Sequence, residues 1–250
     1  MAVNGDRKVQ TVLVLVAMEA EAMPLINILD LKEDIPQRIP PPAPAVSYSG
    51  SKHGIEVHVV RNGKCQLHGV DNVGTVPAAV TAYLAVHEFK PDLVISVGTA
   101  GGFKSKGAAI GDVFLATAFA NHDRRIPIPG FDKYGVWRVD ALAAPNLKAA
   151  LNLKEGVVSS GNSLSYSQED WDQMTAIGAA VKEMEAAGIS WVAHLHNVPF
   201  IALKSITDIV DGDRPAQEEF LENLHSAAKA LQDVISPVLE FVAAKSIKDL

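Results

Sequence analysis

The sequence is poor in cysteine and has no cluster of positive charge. Its 250 residues include one cysteine, Cys65, so no disulfide can form within the chain and a reducing compartment is the simplest setting. Lysine and arginine number 22 against 29 aspartate and glutamate residues, a net charge of −7. Nucleic acid and anionic membranes are therefore not expected as partners, because both require clustered positive charge. A small neutral or cationic ligand stays open.

The sequence also lacks a long hydrophobic run. The longest early apolar segment, Val12 to Met18, ends at Glu19 and is much shorter than the ~20 residues that a spanning helix needs. The first ten residues have no cleavage-site pattern of a signal peptide. We therefore expect a cytoplasmic protein without a membrane partner.

What the chain does contain is an alternation of short β-branched runs with longer helical patterns. The segment 11–17, TVLVLVA, is apolar without interruption, as in parallel strands that are buried on both faces. Comparable patterns predict strands at 93–98, 111–119, 154–161 and 198–207, a hairpin of 46–50 with 55–63, and helices at 20–31, 77–89, 145–151, 168–196 and 215–245. This order predicts one α/β domain over residues 1–250, with ligands bound beyond the carboxyl ends of strands.

A proline-rich segment, PQRIPPPAP, occupies residues 36–44. Five of its nine residues are proline, which favours an extended surface connection. The composition does not change across it, so we expect a loop within one domain rather than a linker between two.

Two predicted strands are followed by features that can bind a ligand. Glu19 and Glu21 come after the first strand and open a helix, although acidic residues also favour a helix start for its dipole, and only one of the two needs to face the sheet. The glycine-rich segment 96–102 predicts a turn whose backbone can approach a ligand, or a tight turn and no more. It is not a dinucleotide fingerprint, because Ala100 occupies a position where glycine is required.

Asp208 follows the last predicted strand, where a carboxyl can be desolvated, held protonated and used as a general acid. A helix cap or a solvated turn is the alternative. Glu185 opens an apolar helix and can hold ligand hydroxyls there, or be solvated at the surface. The aspartates at 208, 211 and 213 lack calcium-loop spacing, and His194 and His196 fall on different helix faces, so no metal is expected.

Six motifs occur in order over nearly the whole chain: AMEAEAMPL (17–25), NVGTVPAA (72–79), VGTAGG (97–102), GDV (111–113), EMEAA (183–187) and SITDIVDG (205–212). Together they resemble the 5'-methylthioadenosine nucleosidases. The proline-rich segment and NHDRRIP (121–127) resemble the plant members.

The resemblance implies the nucleoside phosphorylase fold, which is a single α/β domain with a central mixed, barrel-like sheet flanked by helices. It also implies a homodimer that needs no metal or cofactor. The implied reaction is hydrolysis of the N-ribosidic bond of 5'-methylthioadenosine to adenine and 5-methylthioribose, in methionine salvage.

The resemblance further implies roles for individual residues. Glu21, rather than Glu19, matches the base that activates water, and Asp208 matches the acid that protonates adenine N7. Glu185 matches the residue that holds the ribose hydroxyls. The other implied substrate contacts are Val73 and Met184 at the ribose, Thr99, Ala100, Gly101 and Leu164 at the base, and Thr207 beside the acid. Bond cleavage places positive charge on the sugar and negative charge on the base, which fits anions at the ribose and an acid at the purine.

The sequence departs from the family pattern at three positions. Leu164 stands where many members have an aromatic residue beneath the adenine, and Gln217 stands near the position where bacterial members have a phenylalanine at the 5' pocket. Gly188 lies inside a predicted helix, at a cost of ~1 kcal/mol relative to alanine. These departures leave open the range of 5' substituents, including S-adenosylhomocysteine, and the segment His122–Arg125 has no assigned role.

Two other functions stay open at this point. A phosphorylase of the same fold would use phosphate in place of water, but Glu21 would repel the phosphate. A non-catalytic storage or ligand-binding relative would not need Glu21, Glu185 and Asp208 together.

Overall fold

The structure is a computed structural model, and it describes residues 5–250. The strands in this range are β1 (Thr11–Val16), β2 (Lys32–Glu33), β3 (Val46–Lys52), β4 (Ile55–Arg61), β5 (Leu93–Gly102), β6 (Val113–Asn121), β7 (Val139–Asp140), β8 (Lys154–Ser160), β9 (Ala179–Glu183) and β10 (Phe200–Ile209). The α-helices are α1 (Glu19–Leu29), α2 (Thr75–Phe89), α3 (Phe131–Val136), α4 (Pro145–Leu151), α5 (Gln168–Ile177), α6 (Ala186–His196) and α7 (Ala216–Val242).

All the strands belong to one mixed sheet, part of which closes into a barrel. The hydrogen-bonded order is β10-β6-β8-β9-β5-β1-β4-β3-β2, with β7 on β6. Because β10 also pairs with β5, the strands β5, β10, β6, β8 and β9 form a closed ring. The remaining strands extend the sheet from β5 through β1. This confirms the expected mixed, barrel-like α/β architecture.

Helices cover both faces of the sheet, and strand β1 shows why its sequence is apolar throughout. Val12 and Val14 pack toward α1 and α7, in a core that includes Leu25 and Leu239. Leu13 and its alternate neighbour Leu15 belong to the opposite core, with residues of α2 and α6. Successive side chains of a strand point to opposite faces, so a strand between two helical layers has no polar positions.

Three parts of the predicted element pattern were wrong. The helix expected at 168–196 is α5, β9 and α6, since Gly178, with a left-handed φ of 68°, ends α5 before β9 begins. The sequence of β9, AAVKE, does not look like a buried strand because it ends in two charged residues, Lys182 and Glu183. Both are buried all the same, because polar groups of the protein pair with them. The glycine-rich segment 96–102 lies inside β5 rather than in a turn, and Asp208 lies inside β10 rather than after it.

The proline-rich segment 36–44 contains neither helix nor strand. Its prolines are exposed, while Ile39 is buried in the α2-side core and anchors the segment. The side-chain oxygen of Gln37 also accepts a 2.7 Å hydrogen bond from the Ser47 amide of β3.

The short elements β2, β7 and α3 were not predicted. Among residues 5–250, no helix has the length and apolar character that a bilayer crossing requires.

Candidate active site

One cavity of about 300 Å³ collects every residue that the sequence singled out as catalytic or substrate-binding. It opens where the carboxyl ends of β1, β5, β9 and β10 meet, and the loops after β4 and β8 complete its wall. The predicted residues that line it are Glu21, Val73, Thr99, Ala100, Gly101, Leu164, Met184, Glu185, Thr207 and Asp208. Ala17, Met18, Lys182, Glu183 and Phe220 also line it.

Glu21 enters the cavity from the first turn of α1. It is 2% exposed, and its Oε1 accepts hydrogen bonds of 2.6 Å from both the amide and the hydroxyl of Thr99. Its Oε2 accepts from the Met18 amide at 3.2 Å. Residues two apart on a helix point to different sides, so Glu19 faces outward and pairs with Lys64 at 2.7 Å. The position of Glu21 is therefore held from β5, across the cavity from its own helix.

Asp208 is aimed by a bulge in β10. In the pairing of β10 with β5, Ile206 lies opposite Ala100 and Asp208 opposite Gly101, so Thr207 is the extra residue. The Thr207 hydroxyl lies 2.8 Å from Asp208 Oδ1 and 3.1 Å from the Ala100 carbonyl oxygen. A Cβ on Gly101 would lie 2.7 Å from Asp208 Oδ2, so a larger residue at this position would displace the carboxyl group. Oδ1 is thus occupied by the hydroxyl, while Oδ2 lies against the bare backbone of the cavity wall.

Glu185 stands at the N-terminus of α6 and reaches toward the start of α2. Its Oε1 accepts a 2.9 Å hydrogen bond from the Gly74 amide. The starts of the two helices approach so closely that a Cβ on Gly188 would lie 2.5 Å from the Thr75 carbonyl oxygen. The glycine that departs from the family pattern is therefore required by the close packing that positions Glu185.

A buried ion pair lies behind these carboxylates. Lys204 Nζ and Glu183 Oε2 are 2.9 Å apart, and their side chains are 2% and 1% exposed. Glu183 also accepts hydrogen bonds from the amides of Glu185 and Ala186, at 3.0 and 2.9 Å, and from the Ser160 hydroxyl. Such a buried pair is stable only when further hydrogen bonds satisfy it, as they do here. The pair fixes the start of α6 and places a positive charge near Glu21 and Glu185.

The surroundings shift the carboxyl groups in directions that suit acid and base chemistry. Burial raises the pKa of Glu21, against the hydrogen bonds from Thr99 and the charge of Lys204. Burial and the nearby Glu183 raise the pKa of Glu185 to about 7. Burial also raises the pKa of Asp208, against the Thr207 hydrogen bond and the charge of Lys182. Groups tuned toward neutral pH can exchange protons during a reaction.

Sequence reasoning missed four residues of this region: Lys182, Glu183, Lys204 and Phe220. Lys204 carried a usable signal, because a lysine inside the apolar segment VPFIALKSIT must find a buried anion. Gln217 lines a neighbouring groove instead of this cavity, whereas Phe220, one turn later in α7, lines the cavity itself. An aromatic side chain is thus supplied by a different position of the same helix.

The segment His122–Arg125 lies outside the cavity wall and supports it indirectly. His122 Nδ1 lies 2.9 Å from the Ser159 hydroxyl, and Arg125 pairs with Asp170 of α5. Asp123 accepts a 2.7 Å hydrogen bond from the Asn162 amide, in the loop after β8.

Within residues 5–250, no group of three or more His, Cys, Asp or Glu side chains is arranged to hold a metal ion.

A closed five-stranded barrel within a mixed sheet, with acids gathered at one cavity, places this protein in the nucleoside phosphorylase-like class of α/β folds. Residues 11–240 match the family model of the phosphorylase superfamily. The chain is 43% identical to two Arabidopsis thaliana proteins, a 5'-methylthioadenosine/S-adenosylhomocysteine nucleosidase and a 5'-methylthioadenosine nucleosidase. Each alignment covers 98% of this chain, with 96% and 91% of the respective relatives.

The fold comparison agrees with the sequence comparison. The solved apo structure of the Arabidopsis thaliana 5'-methylthioadenosine nucleosidase superposes with a TM-score of 0.96, over 98% of this chain and 100% of that one. The chain therefore belongs to the 5'-methylthioadenosine nucleosidase family of the phosphorylase superfamily.

Proposed function

We propose that this protein hydrolyses the N-ribosidic bond of 5'-methylthioadenosine, releasing adenine and 5-methylthioribose, as a step of methionine salvage. The observation that carries the proposal is the gathering of Glu21, Glu185 and Asp208 around one cavity. The 43% identity to the two Arabidopsis thaliana nucleosidases supports the choice of substrate.

In this proposal Asp208 is the general acid and Glu21 the general base. Protonation of the purine at N7 removes the negative charge that builds on the leaving base. Asp208 supplies that proton, because burial keeps its carboxyl protonated to higher pH than usual. Glu21, held by Thr99, takes a proton from the attacking water. Glu185 accepts hydrogen bonds from the ribose hydroxyls, beside Val73 and Met184.

The charges of the cavity favour water over phosphate as the nucleophile. Binding a phosphate dianion needs free cationic donors, such as arginine. The cavity wall contains three glutamates and Asp208, and no arginine is among its lining residues in the described chain. Lys204 is already paired with Glu183, and Lys182 of the cavity wall already donates hydrogen bonds to the carbonyl oxygens of Ser163 and Leu164. Anionic carboxylates instead stabilise the positive charge that develops on the ribose.

The 5' substituent of the substrate requires an apolar surface, since a methylthio group gains about 0.8 kcal/mol per buried CH₂-sized unit. Met18, Val73 and Phe220 supply apolar wall in this cavity. One of the two Arabidopsis thaliana relatives is also named for S-adenosylhomocysteine, and the other is not.

A panel of 5'-substituted adenosines tests the proposed function. Adenine release is measured by chromatography for 5'-methylthioadenosine, longer alkylthio analogues, S-adenosylhomocysteine and adenosine. We expect the highest kcat/KM for 5'-methylthioadenosine and a large loss for adenosine, whose 5' hydroxyl is not matched by an apolar wall. Tight adenine binding without turnover of any 5'-thioadenosine would contradict the enzyme and favour a ligand-binding protein.

We further propose that the protein is a homodimer. Val76, Val80 and Tyr83 lie along one side of α2 and are 70%, 51% and 51% exposed. The neighbouring helix α6 adds Leu195, and Tyr83 packs edge-on against His196, so the two helices present one apolar face. An exposed apolar face of this kind is typical of a protein interface, and a second copy is the occupant we propose.

Light scattering tests the dimer. The wild type is expected at twice the 26.6 kDa mass of the chain, and Val80→Asp is expected to shift it toward the monomer. A monomeric wild type at micromolar concentration would contradict the proposal. A cytoplasmic location, which suits a chain with one cysteine, is proposed as well and is tested by cell fractionation.

A further inference from the structure

Lys182 carries the one positive charge among the residues that line the cavity in the described chain. The acid and base steps proposed for hydrolysis give it no role. It extends from β9 and is 6% exposed. Its ammonium group donates hydrogen bonds to the carbonyl oxygens of Ser163 and Leu164, at 3.0 and 2.7 Å. Two of its three N–H groups are thus committed to the backbone of the loop that follows β8. A lysine buried on backbone carbonyls requires an explanation, because burying an ammonium is costly.

Lys182 of β9 and Asp208 of β10 both pair with Gly101 of β5, one from each side, and both line the cavity. Among the anionic groups, Asp208 has the strongest influence on the pKa of Lys182. Burial lowers the pKa of Lys182, and Asp208, followed by Glu183, Asp170 and Asp123, opposes that change. The charge of Lys182 in turn acts on Asp208, where it is opposed by Glu219 of α7. Glu219 is itself held in place, since its Oε2 accepts a 2.8 Å hydrogen bond from the Ile209 amide. The cation on β9 and the anion on α7 therefore act on the pKa of Asp208 in opposite directions.

We propose that Lys182 is a positioning residue for departure of the purine: the carbonyl oxygens of Ser163 and Leu164 fix its ammonium group, whose charge stabilises the Asp208 carboxylate left after proton transfer. This inference rests on the proposed nucleosidase function. As the C–N bond breaks, its electron pair goes to the base and the Asp208 proton moves to N7. The negative charge that remains on Asp208 then shares the cavity with the Lys182 ammonium, which lowers the energy of the charge-separated state.

The pH profile of kcat/KM separates this role from simple packing. Its basic limb reports loss of the Asp208 proton in the free enzyme. Removing a nearby cation raises the pKa of a carboxyl, so Lys182→Met is expected to move the limb up by about one pH unit. The rate on the plateau is expected to fall about tenfold. Lys182→Arg, which keeps the charge, is expected to retain the wild-type limb, and Glu219→Gln is expected to move the limb down.

A substrate whose leaving group needs no proton provides the second readout. In a 4-nitrophenyl 5-methylthioriboside, 4-nitrophenolate departs without general acid catalysis. We expect Lys182→Met to lower adenine release from 5'-methylthioadenosine strongly but to change 4-nitrophenolate release by less than about threefold. A structural role would lower both rates alike.

Equal losses on both substrates with an unmoved basic limb would overturn the role of Lys182, while a wild type that releases no adenine would overturn the nucleosidase function instead. If Lys182→Met does not fold, Glu219→Gln carries the test from the opposite side of Asp208. An unmoved limb in Glu219→Gln together with a shifted limb in Lys182→Arg would then overturn the inference.

Discussion

Replacing Asp208 by asparagine removes the proposed general acid with almost no change of shape. The amide keeps an oxygen for the Thr207 hydroxyl, which lies 2.8 Å from Oδ1, and fits the same space beside Gly101. What it cannot do is transfer a proton to N7 of the purine. Loss of a general acid costs about 10²–10⁴-fold in rate, which corresponds to about 2.7–5.4 kcal/mol in the barrier.

The assay for Asp208→Asn is the steady-state release of adenine from 5'-methylthioadenosine. We expect kcat to fall by the factor given above while KM changes little, because Asp208 acts mainly in the transition state. Asp211→Asn is the matched control. Asp211 also has a hydrogen-bonded carboxylate, which accepts from the amides of Lys104 and Ser105 at 2.6 and 2.9 Å, but it lies outside the cavity wall.

Retention of more than about a tenth of the wild-type kcat by a folded Asp208→Asn protein would refute the assignment of the acid, since a transferred proton accounts for at least a hundredfold. A thermal melt and a circular dichroism spectrum establish that the variant is folded. An equal loss in Asp211→Asn would instead point to disturbance of the loop after β10.

Three further outcomes are expected. Glu21→Gln lowers kcat by about 10²–10⁴-fold but still binds adenine in calorimetry; weak binding would mean that Glu21 holds the ligand instead. The pKa of Glu185 is raised from 4.5 to about 7, so the folded protein binds this proton more tightly than the unfolded chain does. The resulting stabilisation is complete below pH 4.5 and is lost as the pH rises through 7. The melting temperature of Glu185→Gln relative to wild type is therefore expected to increase between pH 5.5 and 8.5, and a constant difference would contradict this. Gly188→Ala, which puts a Cβ 2.5 Å from the Thr75 carbonyl, is expected to cost about 1–3 kcal/mol in urea unfolding, and a neutral result would contradict the packing argument.

The features predicted well from the sequence are those with strong periodicity or a distinctive motif. The apolar run of β1 predicted a strand buried on both faces, because no polar position is possible between two helical layers. The motif around Glu21 placed the proposed base in the cavity, while helix geometry explains why Glu19, two residues earlier, turns away.

The features missed are those whose residues contradict their local surroundings. Lys182 and Glu183 made β9 look like part of a helix, since charged residues are rare in buried strands. Their burial depends on the loop carbonyls and on Lys204, which are distant in the chain and invisible to a local pattern. The glycines of β5 predicted a turn because glycine usually permits turns, but Gly101 is needed for the close approach of Asp208.

The most direct measurement is a product analysis of the wild type incubated with 5'-methylthioadenosine, with and without inorganic phosphate. In the proposed mechanism acids act at both ends of the bond, and no arginine for phosphate is among the lining residues of the cavity in the described chain. We therefore predict adenine and 5-methylthioribose in equal amounts, at a rate that phosphate does not change. A phosphate-dependent rate with 5-methylthioribose 1-phosphate as the product would contradict the account.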